Sequence, residues 1–216
     1  MQLQAAAEAC EAAAHYAALA PPKARAWAIR LVGDGAGTST APPDDRAAPN
    51  RSEPVRLSSS NPDDRPTLNN PQTNTTLLVD DRFTYHTDDL GRVVKASATL
   101  HTIDREHPRD HYAQRVLAGK LPGDHAGHIF ARLFQGPGGM LNLTPMQGNK
   151  VNLGAFASLE REWRRHVADG HEVNVEIELS YRDNSRRPRY FSVIYRVGDK
   201  EFVRDIRNTP AKHNEG

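Results

Sequence analysis

The chain has 216 residues, with 28 Lys and Arg against 27 Asp and Glu, and a single cysteine, Cys10. That near balance excludes nucleic-acid binding by bulk positive charge, and one thiol excludes an intrachain disulfide or a thiolate zinc cage. No run of about 18 apolar residues is present, which excludes a transmembrane helix, and the amino terminus lacks the basic start and apolar centre of a secretory signal.

Composition divides the chain into two unlike parts. Nine of the fifteen prolines lie from Pro21 to Pro71, whereas nine of the ten histidines lie after residue 80. Residues 1–81 carry 7 basic side chains against 10 acidic ones, and residues 82–216 carry 21 against 17. The second part is mildly basic, which suits a polyanion held at a local patch.

In chain order, Gln2 to Ala20 is dominated by alanine and closed by Pro21-Pro22, which predicts a helix with little side-chain volume, and Ala24 to Val32 predicts a second short apolar piece. From Gly33 to Thr76 the chain is Pro, Asp, Asn, Ser, Thr and Gly with few large apolar residues, a composition expected of a linker. At Leu77 two β-rich runs flank Asp88-Asp89-Leu90-Gly91, the pattern of a hairpin. A short helix is expected near Asp110 to Ala118. "GPGG" at 136–139 predicts a tight turn, and "MLNLTPM" a short strand stopped by Pro145.

Phe156, Leu159, Trp163 and Val167 recur at steps of three and four, predicting a helix from Leu153 that stops at Gly170. Val173, Val175, Ile177, Leu179 and Tyr181 then alternate with polar residues, as do Phe191, Val193, Tyr195 and Val197. With Glu201 to Ile206 after a Gly198-Asp199 turn, the tail reads as an antiparallel meander. The expected organisation is an Ala-rich helical segment over 1–32, a low-complexity linker over 33–76, an ordered domain over 77–209 and a tail over 210–216.

The stretch "GDHAGHIFARLF" (123–134) places His125 and His128 three positions apart. In an extended segment they leave opposite faces, while Asp124 and His128 share one, so the two imidazoles are poor joint ligands. A lone histidine in such a run is ordinarily a structural hydrogen-bonder. What raises its interest is the order of parts: a strand bearing His128, a glycine turn, the strand "LNLTPM", and a polar turn with Asn149 and Asn152 before a helix. On such a strand-strand-helix platform an imidazole and a hard oxygen ligand can converge, the minimum for metal-assisted attack of water on a phosphodiester.

The segment "DHAGHIFARLFQGPGGMLNLTPMQGNKVNLGAFASLEREW" (124–163) resembles the DNA/RNA non-specific endonucleases, members of the ββα-metal (His-Me finger) nucleases, and is most similar to the branch at the carboxyl ends of bacterial polymorphic toxins. The resemblance is close over 123–163 and loose over 78–208. It implies an α+β fold: an antiparallel sheet with a ββα-metal finger and a C-terminal β-meander, here preceded by an Ala-rich helix and a disordered linker.

By that resemblance His128 corresponds to the general base and Asn152 to the metal-binding asparagine, with Asn149 beside it as a further candidate ligand. The ordinary alternative for Asn152 is an N-cap of the helix beginning at Leu153. Asn142 matches an asparagine that supports the catalytic histidine. Glu160 matches the family acid that acts through metal-bound water; its alternative is an exposed glutamate paired with Arg164 at i+4. Asp124 is assigned a supporting role.

Many relatives have Asp-Arg-Gly-His, whereas here His125 and Ala126 intervene and the arginine is absent. Arg132, Arg115 and His125 are the candidates for the phosphate contact. Arg182, Arg186, Arg187 and Arg189 crowd a later loop, whose ordinary reading is a solvated basic turn. The activity implied is Mg²⁺-dependent endonucleolytic hydrolysis, with Mn²⁺ as a substitute, of DNA and, as a second target, RNA.

The implied context is an antibacterial toxin with a cognate immunity protein. It would reach a secretion apparatus or carrier through its N-terminal part, without a signal peptide or a membrane partner, and act in the target-cell cytoplasm; a plain cytoplasmic protein is the alternative. The rival functional classes are a nucleic-acid-binding module with a degraded site and an adaptor domain.

Overall fold

The computed structural model describes residues 53–104 and 111–211. The Ala-rich segment expected over 1–32, the start of the expected linker and the end of the expected tail lie outside the described residues. The strands are β1 (Val55–Leu57), β2 (Thr76–Val79), β3 (Phe83–Thr87), β4 (Val93–Leu100), β5 (Asp124–His128), β6 (Leu143–Gln147), β7 (Val173–Tyr181), β8 (Pro188–Val197) and β9 (Lys200–Arg207). The α-helices are α1 (Arg65–Asn69), α2 (His111–Val116) and α3 (Ala157–Ala168).

Seven strands form one sheet in the order β1-β2-β3-β4-β7-β8-β9, antiparallel except for the β1–β2 pair, and β5 and β6 form a separate antiparallel ribbon. The class is α+β, as expected. β4 and β7 are neighbours in the sheet, so the ribbon and α3 are inserted between two adjacent strands. The chain leaves the sheet, builds a β-β-α unit and returns beside the strand it left.

The expected alternation decides how that unit is held. Val173, Val175, Ile177 and Leu179 of β7 and Phe191, Val193 and Tyr195 of β8 are buried on one face. The stripe Phe156, Leu159, Trp163 and Val167 is buried with them. Trp163 is fully buried, its ring 5.9 Å from that of Tyr195 and 6.3 Å from that of Phe134 in the loop after β5. One side chain therefore joins helix, sheet and finger loop, and such burial contributes roughly 2–3 kcal/mol.

α3 ends as the position of Gly170 predicts. That residue has φ +84°, its N–H bonds Val167 O, and His171 N bonds His166 O, which together make a Schellman stop.

Three elements differ from expectation. Residues 53–76, read as linker, hold β1 and α1, with Leu57 and Leu68 buried. Polar pairing supplies what apolar volume does not: Asp64 accepts from Ser58 N, and Asp80 accepts from Ser59 N. The expected single hairpin is three strands, because Asp80 and Asp81, both at φ 51°, make a second reversal between β2 and β3. Pro145 does not stop a strand but lies inside β6 opposite Ala126. Gly148 N to Gly123 O and Ile129 N to Asn142 O bracket the ribbon, which places Pro145 at a position whose amide faces away from β5, where no donor is needed.

Candidate active site

β5 carries the two histidines as a strand, and its two faces go to different partners. On one face the Asp124 carboxylate accepts from Arg187 Nε at 2.7 Å and Nη2 at 2.9 Å, and also from Leu121 N. The Asp124 side chain is fully buried and that of Arg187 is 8% exposed. Arg187 also donates to Asn208 O and Oδ1, and Asn208 in turn donates to Pro145 O and Pro188 O and accepts from Gln147 N. This network fastens both strands of the ribbon to β8 and to the end of β9. Arg187 is therefore a buried structural cation rather than part of a solvated turn, while Arg182 stays exposed beside Asp183.

The other face of β5 carries His125 and Gly127 and is turned towards Asn152. Asn152 Nδ2 lies 3.1 Å from His125 Nδ1. A Cβ on Gly127 would come within 2.9 Å of Asn152 Oδ1, so the amide lies against bare backbone.

Asn152 is not an N-cap. The segment Gly148–Phe156 is a π-helical lead-in to α3, capped by the side chain of Gln147, which accepts from Lys150 N at 2.6 Å. Asn152 sits inside this wide turn, its carbonyl accepting from Ala157 N. A π-segment places its side chains off the ordinary helical stripe, and such segments are common at functional sites.

A cleft of about 680 Å³ runs over these elements, lined by Asp124, His125, Ala126, His128, Arg132, Asn152 and Glu160 together with Gln114, Lys120, Ala131, Leu133, Leu153 and Ala157. His128, Asn152 and Glu160, which lie on a strand end, a π-turn and α3, thus border one space. Burial pushes the Glu160 carboxyl up to about 7, against the opposing pull of the Arg161 guanidinium; the cation acting on it is Arg161, not Arg164 one turn on.

Three of the expected residues lie elsewhere. Asn142 is fully buried, its Oδ1 accepting from Tyr85 Oη and Phe130 N and its Nδ2 donating to Phe130 O and Pro137 O. It frames the loop that follows His128. Asn149 is exposed and Arg115 stacks near Tyr112, neither lining the cleft. Lys120, which lines the cleft and donates to the carbonyls of Gln114 and Arg115, carried no signal in the sequence.

Among the described residues no group of three His, Cys, Asp or Glu side chains forms a metal cage. No helix among them is long and apolar enough to cross a membrane.

The strand pair β5–β6 followed by a helix, inserted between two adjacent strands of the sheet, has the β-β-α order the sequence anticipated; the histidine in contact with Asn152 is His125, while His128 borders the same cleft from the end of β5. The family model for DNA/RNA non-specific endonucleases matches residues 72–199, and the chain belongs to that family.

Over 132 residues the chain is 33% identical to the type VII secretion system protein EssD of Staphylococcus aureus strain USA300, and equally to that of strain NCTC 8325 / PS 47. The match covers 57% of this chain and 21% of EssD, so the chain spans about a fifth of the length of these curated relatives. Among solved structures, the metal-free NucA of Streptococcus agalactiae is 16% identical with a TM-score of 0.40, covering 65% of this chain and 74% of NucA.

Proposed function

We propose that this chain is a metal-dependent, sequence-tolerant endonuclease acting on DNA, with RNA as a second substrate. The observation that carries the reading is the convergence of His128, Asn152 and Glu160 on one cleft within a domain of this family. The donor set fits a hard divalent ion: Asn152, which lines the cleft, carries an amide oxygen, and Mg²⁺ binds through one or two protein oxygens while keeping most of its waters. Asn152 would hold it, and Mg²⁺ or Mn²⁺, when bound, supplies charge stabilisation at the scissile phosphate.

His128 acts as the general base. It sits at the end of β5, where the Asp124–Arg187 anchor fixes the strand, and a neutral imidazole can take a proton from the attacking water. Glu160, whose carboxyl burial pushes up to about 7, lines the same cleft and can orient water there. Arg132 and Lys120 line the cleft, and in this reading they would supply the cations that meet phosphate.

Plasmid cleavage with and without EDTA tests the reading. Nicking should require a divalent metal and vanish in His128→Ala, and Asn152→Ala should lose activity that excess metal partly restores. Cleavage retained in His128→Ala would remove that residue as the base. Binding without cleavage under any divalent metal would favour a nucleic-acid-binding module instead.

We further propose an antibacterial toxin role, with delivery by a dedicated secretion system, protection of the producer by an immunity protein, and action in the target-cell cytoplasm. Similarity to a type VII secretion system protein supports it. Growth arrest on cytoplasmic expression, relieved by His128→Ala, checks it.

A further inference from the structure

His125 follows Asp124 in β5, and its ring is hydrogen-bonded to the Asn152 side chain. We infer that His125 is a positioning residue that sets the rotation of the Asn152 amide so that its oxygen is left for the metal; this rests on the metal role proposed for Asn152.

The Asn152 atom that meets His125 Nδ1 at 3.1 Å is Nδ2, which can only donate, so this contact pairs it with the Nε2–H tautomer of the ring, whose Nδ1 accepts. With one amide N–H committed to the ring in this tautomer, a rotation that exchanged Oδ1 and Nδ2 would keep the hydrogen bond only if the ring proton also moved to Nδ1. The Nε2–H form of His125 therefore favours the amide orientation that leaves Oδ1 unpaired with the ring. Without a fixed partner an asparagine amide turns freely, and half of its orientations present N–H groups to a cation.

The surroundings are shaped for this pair. A Cβ on Gly148 would lie 2.7 Å from His125 Nε2 and 2.9 Å from Cδ2, so the ring rests on that glycine. A Cβ on Gly127 would press on Asn152 Oδ1. Bare backbone thus admits both partners. The ribbon register supplies the rest, since His125 and Gly127 share a face and Met146 lies opposite His125 with its side chain also against Gly127.

The role differs from that of a phosphate contact. A phosphate contact would act on the affinity for nucleic acid, whereas an orienting partner acts on the affinity for metal. Partners of this kind typically change metal affinity by about 10–100-fold.

The test is titration of the full chain with Mn²⁺ alone, followed by water-proton relaxation, for wild type, His125→Leu, His125→Gln and Asn152→Ala, with circular dichroism to verify folding. His125→Leu is expected to weaken Mn²⁺ binding about 10–100-fold, and His125→Gln, which retains an acceptor, to recover most of it. KM for duplex DNA at saturating Mn²⁺ should be unchanged in both.

Two results would overturn the inference while leaving the metal reading intact. One is Mn²⁺ binding lost in Asn152→Ala but normal in His125→Leu. The other is a raised, more salt-dependent KM in His125→Leu with Mn²⁺ affinity preserved, which would make His125 a phosphate contact. Undiminished Mn²⁺ affinity in Asn152→Ala would overturn the metal reading itself.

Discussion

Asp124 at the start of β5 and Arg187 just before β8 are 63 residues apart in sequence and form a two-pronged, buried ion pair. Such a pair stabilises little relative to an apolar replacement, but removing one partner leaves a buried charge and costs about 3–5 kcal/mol. Arg187→Ala and Asp124→Ala are each expected to lose that much in urea unfolding. The double variant Asp124→Leu, Arg187→Met should lose clearly less than the two single losses added. Additive losses would show that the two side chains act independently.

The same anchoring logic governs Asn142. Its amide satisfies the Phe130 N–H and C=O, the Pro137 C=O and the Tyr85 hydroxyl, all in a buried setting. Asn142→Ala leaves those groups without partners, at a cost of about 3–5 kcal/mol given the penalty for each buried unsatisfied group. Asn142→Asp keeps the acceptor and loses both donated bonds, so it should fall below wild type as well. Thermal unfolding measures both, and a melting temperature within a degree or two of wild type would contradict the bracing role.

These two cases mark where sequence stopped being informative. The alternation along β7 and β8 and the 3–4 spacing of Phe156, Leu159, Trp163 and Val167 were legible because each pattern reports burial of its own element. The placement of His128 and Asn152 on adjoining parts of a finger was legible because strand, turn, strand and helix follow one another closely.

The partner of Asp124 was not, since nothing local distinguishes Arg187 from Arg186 or Arg189. The π-turn was missed because five-residue hydrogen bonding leaves no residue-type signature in "GNKVNLGAF". The fold of 53–76 was missed because serine–aspartate hydrogen bonds seat β1, with only Leu57 and Leu68 as apolar anchors.

Glu160 makes a prediction in pH. Its folded pKa, about 7 through burial, lies above the ordinary value near 4.5, so the folded state binds the proton more tightly than the unfolded chain. The sign follows: the stabilisation is fully present below pH 4.5 and is lost as pH rises to about 7. In EDTA, wild type should therefore lose stability relative to Glu160→Gln across that window, by an amount on the order of 1–3 kcal/mol. Parallel unfolding curves for the two proteins from pH 4.5 to 8 would show that the carboxyl is not buried enough to shift.

Two glycine substitutions separate the site from the scaffold. A methyl group at Gly127 would come within 2.4 Å of Met146 Sδ, 2.8 Å of its Cγ and 2.9 Å of Asn152 Oδ1. Met146 is fully buried in the core, so the strain should displace both the thioether and the amide. Gly127→Ala is expected to cost about 1–3 kcal/mol as an overpacked position. It should also reduce cleavage at limiting metal by at least about tenfold, because the amide moves.

A methyl group at Gly170 would meet nothing within 4 Å, but the residue sits at φ +84°, so Gly170→Ala brings conformational strain without a clash. It should cost about 1 kcal/mol at the end of α3, with kcat and metal dependence unchanged. Matched loss of activity in the two variants, once corrected for the folded fraction, would show that Gly127 matters only for folding. Loss confined to Gly127→Ala would tie the ribbon's bare backbone to the position of Asn152.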